Sequence, residues 1–322
     1  ANEAVDAGLL TATMYPDEFK DYIKNLNEGN VNITTFNPIE TPEYSYSWKE
    51  ERKPNIAVIY AVGGIASGQS NPGPKGSSVM GDETIIKAFK DAYEDDNVDA
   101  IILRIDSGGG SALASDMMWR QMVKSKEDSI NRKPFIVSMS DVAASGGYYI
   151  ALGSDSLIAN PGTIVGSIGV IMNYPIATEL LDKVGIKFET VKSGGLKDVG
   201  SYSREVTEAD RRHLNEMVTN MHNQFITAVE ENRDIDRSEI IKLADGRVFT
   251  GLQSKDLGLV DMLGTFDDAI NIAGILGNIK GKPKTIELNK KNNSLLDLFT
   301  SNLEQATNSW FDELPAYRWR ME

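Results

Sequence analysis

The residues best suited to chemistry lie in Ser140-Asp141-Val142-Ala143-Ala144-Ser145-Gly146-Gly147-Tyr148-Tyr149. An apolar strand over Phe135 to Met139 runs into small residues, one serine, and two glycines that open a new apolar segment. This pattern presents a nucleophile at the start of a helix. Small residues admit a substrate backbone, and the N–H groups after the serine are available to developing negative charge. The same residues also read as a tight strand-to-helix turn in which Ser145 only caps the helix. A second glycine-rich turn, Asp106-Ser107-Gly108-Gly109-Gly110-Ser111, follows a strand over Ala100 to Ile105. Two such turns side by side can direct two backbone N–H groups at one oxyanion, as acyl transfer requires.

A serine hydroxyl needs a base. Only two histidines occur, His213 and His222. Both flank the apolar stripe Leu214, Met217, Met221, Phe225 and Val229 of a helix predicted over Glu208 to Asn232, which gives them a surface or helix-contact role. The base is then Lys, Asp or Glu. A lysine serves if desolvation leaves it neutral near working pH. Lys197 lies in the small, glycine-rich stretch Ser193-Gly194-Gly195-Leu196-Lys197-Asp198-Val199-Gly200-Ser201, unlike most lysines here, which have charged surroundings. Composition alone also fits an ordinary loop lysine there.

Other chemistries are excluded by absence. No cysteine is present, so disulfides, thiolate metal sites and a cysteine nucleophile are ruled out. Two histidines cannot build a histidine-rich metal site, though carboxylate sites are not excluded by count; no metal or other cofactor is expected. No G-x-x-x-x-G-K-[ST] occurs and no G-x-G-x-x-G follows a strand, which removes the usual phosphate and dinucleotide loops. A net charge of −14 argues against nucleic acid. No apolar run reaches the ~20 residues needed to span a bilayer.

The elements that must position these residues read as a mostly parallel α/β layer structure. Strands are expected at Ile56 to Ala61, Ala100 to Ile105, Phe135 to Met139, Leu157 to Ala159, Ile164 to Val170 and Phe188 to Val191. Helices are expected after Asp82, through Met117 to Val123, and over Glu208 to Asn232. A glycine- and serine-rich loop over Ser67 to Gly81 is long enough to be functional. Near the start, a helix over Asp17 to Ile23 precedes a polar linker over residues 25 to 54. At the end, Leu295, Leu296, Phe299 and Leu303 form an amphipathic stretch, followed by Trp310, Phe311, Tyr317 and Trp319, as a subunit contact would.

An internal echo joins the two ends. Asp6-Ala7-Gly8-Leu9-Leu10 and Tyr15-Pro16-Asp17-Glu18 align with Asp256-Leu257-Gly258-Leu259-Val260 and Thr265-Phe266-Asp267-Asp268 at a constant spacing. The opening residues thus read as the end of a preceding copy of the same domain. The expected organisation is the tail of a preceding repeat plus linker over 1–50, a catalytic domain over 51–280 and a C-terminal extension over 281–322.

Three spaced motifs carry a family resemblance: Val142 to Tyr149; Ala159-Asn160-Pro161 with Gly166-Ser167-Ile168-Gly169-Val170; and Gly246-Arg247-Val248-Phe249-Thr250-Gly251 with Gly258-Leu259-Val260-Asp261. They resemble signal peptide peptidase A (protease IV), a serine–lysine peptidase family, over about residues 50 to 280. The resemblance implies a ClpP/crotonase-like fold of repeated ββα units, with N-terminal and C-terminal helical extensions. It implies Ser145 as nucleophile, Lys197 as general base and Ser167 as the hydroxyl that orients the lysine. It also implies an oxyanion hole from the N–H groups of Gly109 or Gly110 and of Gly146. Substrates would be short apolar peptides such as remnant signal peptides, cleaved at the extracytoplasmic face of the cell membrane. The enzyme would be a homo-oligomeric ring whose membrane association comes from a segment outside this chain. Two departures stand out. Gly108 occupies a position where the family usually has proline, and both dyad residues lie in a chain that otherwise resembles the downstream half of the tandem form. Other readings are a crotonase-type acyl-CoA hydratase or hydrolase, and a non-catalytic scaffold subunit.

Overall fold

The computed structural model describes residues 2–26, 55–73, 78–127 and 132–289. These divide into two compact units, the first within Ala1–Lys53 and the second from Pro54 onward. The first unit contains helices α1 (Asn2–Asp6) and α2 (Pro16–Leu26). The expected linker and the aromatic C-terminal extension lie outside the described residues.

The second unit runs β1 (Asn55–Val62), β2 (Gly64–Ala66), β3 (Asn71–Pro72), β4 (Ser78–Gly81), α3 (Asp82–Glu94), β5 (Val98–Ser107), α4 (Ala112–Glu127), β6 (Phe135–Ala144) and α5 (Gly146–Ala151). It continues β7 (Ser156–Ala159), β8 (Ile164–Gly166), α6 (Thr178–Lys183), α7 (Glu208–Asn232), α8 (Arg237–Leu243), β9 (Val248–Thr250), α9 (Gly251–Asp256), β10 (Met262–Leu263), α10 (Phe266–Leu276) and β11 (Lys284–Glu287). The main sheet has the order β10-β7-β6-β5-β1-β11, and all of these neighbours are parallel. The expected α/β class is therefore observed. β11 pairs with β1 from Asn55↔Lys284 to Val58↔Glu287, so the sheet continues past residue 280.

Parallel strands covered on both faces must be apolar at consecutive positions. Alternate side chains then divide between two cores. Ile56, Val58, Ala100, Ile102, Ile136 and Ile158 face α10, which buries Ala269 and Ala273 against them. Ala57, Ile59, Ile101, Leu103, Val137 and Met139 face the larger core, which contains residues of α3, α4, α5 and α7.

β6 changes partner along its length. Ile136–Ser138 pair with β7, whereas Val142–Ala144 pair with β8, which is in turn antiparallel to β9. The switch comes at Ser140 and Asp141, where burial lapses and the Ser140 carbonyl accepts from the Thr163 hydroxyl at 2.6 Å. β8 ends at Gly166 rather than Val170, because Gly166 (φ +92°) and Ser167 (φ +50°) leave the extended region. The strand expected at Phe188–Val191 does not form. Those residues are exposed coil with no partner strand, so their alternating pattern has no sheet to join.

The sequence echo is also an echo of backbone hydrogen bonds. Gly8, Leu9 and Leu10 N–H donate to Val5, Ala4 and Ala4 carbonyls, as Gly258, Leu259 and Val260 donate to Lys255, Ser254 and Ser254. Gly8 and Gly258 share a positive φ, +70° and +76°. Tyr15 N–H donates to the Glu18 carboxylate at 2.8 Å, as Thr265 N–H does to Asp268 at 2.7 Å. The surroundings differ: Leu259 and Val260 are buried, whereas Leu9 and Leu10 are exposed.

Candidate active site

Ser145 follows the last residue of β6 and precedes the first of α5, with φ +51° and ψ −123°. A non-glycine residue here is strained and persists only when its surroundings hold it. They do so firmly. The Ser145 N–H donates to the Gly166 carbonyl at 2.8 Å, and its own carbonyl accepts from Tyr148 and Tyr149 N–H at 2.9 Å each. α5 is buried throughout. The Tyr148 hydroxyl anchors it by donating to the Leu259 carbonyl at 2.7 Å, and burial raises that phenol's pKa above its ordinary value. Ser145 alone is half-exposed in a run, 143–151, whose other residues are buried. Its side chain is thus offered to the outside by a rigid turn.

The glycine turn after β5 lies directly against it. A Cβ built on Gly109 (φ +99°) would sit 2.7 Å from the Gly146 nitrogen and 2.9 Å from the Ser145 Cβ, so only glycine allows this approach. Gly109 N–H donates to the Ser107 hydroxyl oxygen at 3.1 Å and is already engaged. Gly110 and Gly146 line the same cavity as Ser145, and among the described residues neither N–H has a hydrogen-bond partner. Of the three glycine N–H groups expected there, Gly109 is thus engaged and the other two are not.

Ser167 lines that cavity too, with its N–H held by the Arg247 carbonyl at 2.9 Å. Lys197 does not. It is exposed, on a segment from Ile171 to Val206 that has no buried residue and includes α6. This arm is tied mainly to itself, through Ala177 N–H to the Tyr202 carbonyl (2.7 Å), Thr178 to Glu205 (2.7 Å) and a Phe188–Tyr202 edge contact. It exposes Ile171, Leu180, Val184, Phe188 and Val191, the last almost fully at 97%.

The cavity, of about 840 Å³, also holds residues that sequence patterns did not single out. Asp116 of α4 accepts from the Tyr149 hydroxyl and from Gln224, each at 2.8 Å. Asp245 sits at the cavity with its pKa lowered to about 2 by hydrogen bonds from Arg247. His222 borders the cavity rather than merely flanking a stripe, and its Nε2 is buried without a hydrogen-bond partner among the described residues. Helical periodicity could place His222 beside Met221 and Phe225, but not reveal that this face of α7 closes over the serine.

The family model for peptidase family S49 matches residues 127–280. A putative protease from Synechocystis sp. is 35% identical over 243 residues, 76% of this chain and 81% of its own. The chain belongs to peptidase family S49. A second relative, the chloroplastic serine protease SPPA of Arabidopsis thaliana, is 31% identical over 92% of this chain, which spans 44% of that protein's length. Among solved structures, ClpP1 from Listeria monocytogenes aligns with 66% of this chain and 92% of its own at 16% identity and a TM-score of 0.41, a loose likeness. S49 members are serine peptidases, and the site described above lies largely inside the matched region. No helix among the described residues is long and apolar enough to cross a membrane.

Proposed function

We propose that this chain is a serine endopeptidase in which Ser145 is the nucleophile and Lys197 the general base, acting on short apolar peptides such as cleaved signal peptides. The observation that carries the reading is Ser145 itself: a strained, half-exposed serine on a buried turn, with two unpartnered N–H groups at the same cavity. Ser145 Oγ attacks the scissile carbonyl carbon while the neutral Lys197 amine takes its proton. Gly110 and Gly146 N–H receive the carbonyl oxygen as it becomes an oxyanion. The resulting ammonium returns the proton to the leaving amine, and water then hydrolyses the acyl-enzyme by the reverse proton route. The Ser167 hydroxyl accepts a hydrogen bond from the lysine and orients it.

Lys197 reaches a serine of a neighbouring copy in this reading. Its arm exposes apolar side chains that an isolated chain leaves in water, as a subunit contact would. A homo-oligomeric ring at the extracytoplasmic membrane surface fits this arrangement. Residues 1–50 are read as the tail of a preceding repeat plus linker, since Leu9 and Leu10 match core positions yet stand exposed.

His222 supports a second reading, with that imidazole as the base, because its unpartnered Nε2 borders the cavity. Labelling with a fluorophosphonate, followed by mapping of the modified residue, tests the nucleophile, and modification anywhere but Ser145 refutes it. Mixing Ser145→Ala and Lys197→Ala chains, with subunit exchange verified by native mass spectrometry, tests the dyad. Partial recovery of peptidase activity is expected. No recovery in verified mixed oligomers places the dyad within one chain, and full activity of Lys197→Ala alone removes that lysine.

A further inference from the structure

We propose that Arg204 is the positioning residue for Lys197, clamping the glycine turn that carries the lysine onto the first turn of α7. The inference rests on the reading of Lys197 as base.

The turn has little stiffness of its own. Gly194, Gly195 and Gly200 surround Lys197, Gly200 has φ +78°, and none of the three would bring a Cβ within 4 Å of anything. The backbone bonds within it are Lys197 N–H to Gly194 (3.2 Å), Val199 N–H to Leu196 (3.2 Å) and Ser201 N–H to Asp198 (3.1 Å). A glycine-rich turn loses much conformational entropy on ordering, so something beyond these long bonds must hold it.

Arg204 supplies that hold. Its Nε and Nη2 donate to the two carboxylate oxygens of Asp198, the residue after Lys197, at 2.8 and 2.9 Å. Nη2 also reaches the Asp198 carbonyl at 3.2 Å. On its other side Nη1 and Nη2 donate to Asp210, the Nη2 contact at 3.0 Å, and Nη1 also donates to the Glu205 carbonyl at 2.9 Å. Asp210 is buried and is the third residue of α7, where it completes the capping box by accepting from the N–H of the N-cap Thr207 at 3.0 Å. Lys192 adds a further strap, at 2.7 Å to Asp198 and 3.1 Å to the Gly195 carbonyl.

A planar guanidinium fits two carboxylates at fixed angles, which an ammonium cannot do. α7 is the helix whose Met221, His222, Gln224 and Phe225 line the Ser145 cavity. The clamp therefore fixes the Lys197 backbone relative to the active-site frame of its own chain, and through any symmetric contact relative to a neighbour's. Hydrogen bonds from Arg204 lower the pKa of both Asp198 and Asp210 below the carboxylate range, so the clamp stays charged at working pH.

The experiment uses the full chain and a fluorogenic apolar peptide. Arg204→Ala and Asp198→Asn should lower kcat about 10²-fold, the cost of misplacing a reacting group by roughly 1 Å, while KM changes little. Asp198→Asn leaves the Arg204–Asp210 pair in place, so it reports on the turn without uncapping α7. Arg204→Lys should rescue poorly, and millimolar guanidinium should restore part of kcat to Arg204→Ala but none to Lys197→Ala. The proposal is overturned if Arg204→Ala and Asp198→Asn keep wild-type kcat while Lys197→Ala is inactive. It is equally overturned if their losses match only the fraction unfolded. If Lys197→Ala is itself fully active, the reading of the base fails first and the clamp has nothing catalytic to position.

Discussion

Replacing Gly109 by alanine should silence the enzyme without unfolding it. The new Cβ would lie 2.7 Å from the Gly146 nitrogen, well inside the 3.4 Å at which ordinary van der Waals contact begins. The atoms it meets are backbone and the Ser145 Cβ, not the flexible end of a side chain, so relief must displace Gly146 or the nucleophile. The positive φ adds about 1–2 kcal/mol for any L side chain. Together these predict about 1–3 kcal/mol of lost stability, a fall of several degrees in Tm. The catalytic effect is larger. A donor and a nucleophile moved by several tenths of an ångström should cost about 10²-fold or more in kcat/KM, comparable to deleting one oxyanion donor. Peptide hydrolysis measured well below the melting transition separates the two effects. Gly162→Ala, where a Cβ meets nothing within 4 Å, controls for glycine replacement as such. Gly109→Ala with near wild-type kcat/KM would refute the placement of the oxyanion hole at this contact.

Ser145→Ala should abolish hydrolysis with an unchanged melting curve, and turnover near the wild-type rate would remove Ser145 from the mechanism. With a lysine base the deprotonated amine is the active form, so kcat/KM should rise with pH and level off. The double variant His213→Gln/His222→Gln should retain that profile, whereas a profile that moves with His222 establishes the imidazole as base. Stability should fall in acid partly through Asp261. Burial raises its pKa, but hydrogen bonds from Arg233 (2.7 and 3.1 Å) and Leu157 N–H (2.7 Å) outweigh this and hold it below its ordinary value. A depressed carboxyl contributes stability above its unfolded pKa of about 3.9 and loses it as pH falls through the folded value. Asp261→Asn should therefore lower Tm at neutral pH and flatten its decline in acid, and an unchanged acid limb would refute the assignment.

Much of this was legible in residue order because parallel strands buried on both faces announce themselves as Val/Ile runs. α7 was expected over Glu208 to Asn232 and occupies those residues, its apolar stripe bounded by the Thr207–Asp210 capping box. The serine turn was legible from its small residues, and the N-terminal echo from its constant spacing. What escaped depends on contacts distant in sequence. Asp116 looked like any helix aspartate until Tyr149 and Gln224 converged on it. His222 looked peripheral because helical periodicity describes one helix, not the surface that helix covers. The false strand at Phe188–Val191 shows the converse: alternation is a strand only where a neighbouring edge exists.

The change of partner along β6 has a consequence for how this enzyme can vary. The first half of the strand pairs with β7, while the second half pairs with β8, itself paired with β9, and leads into Ser145. The two halves meet at a crease, Ser140–Asp141, where burial lapses. Ala143 of that second half, Val165 of β8 and Phe249 of β9 are nevertheless buried in the larger core, so substitutions there should shift stability and the nucleophile together. A single strand thus ties the packing of the core to the placement of the nucleophile.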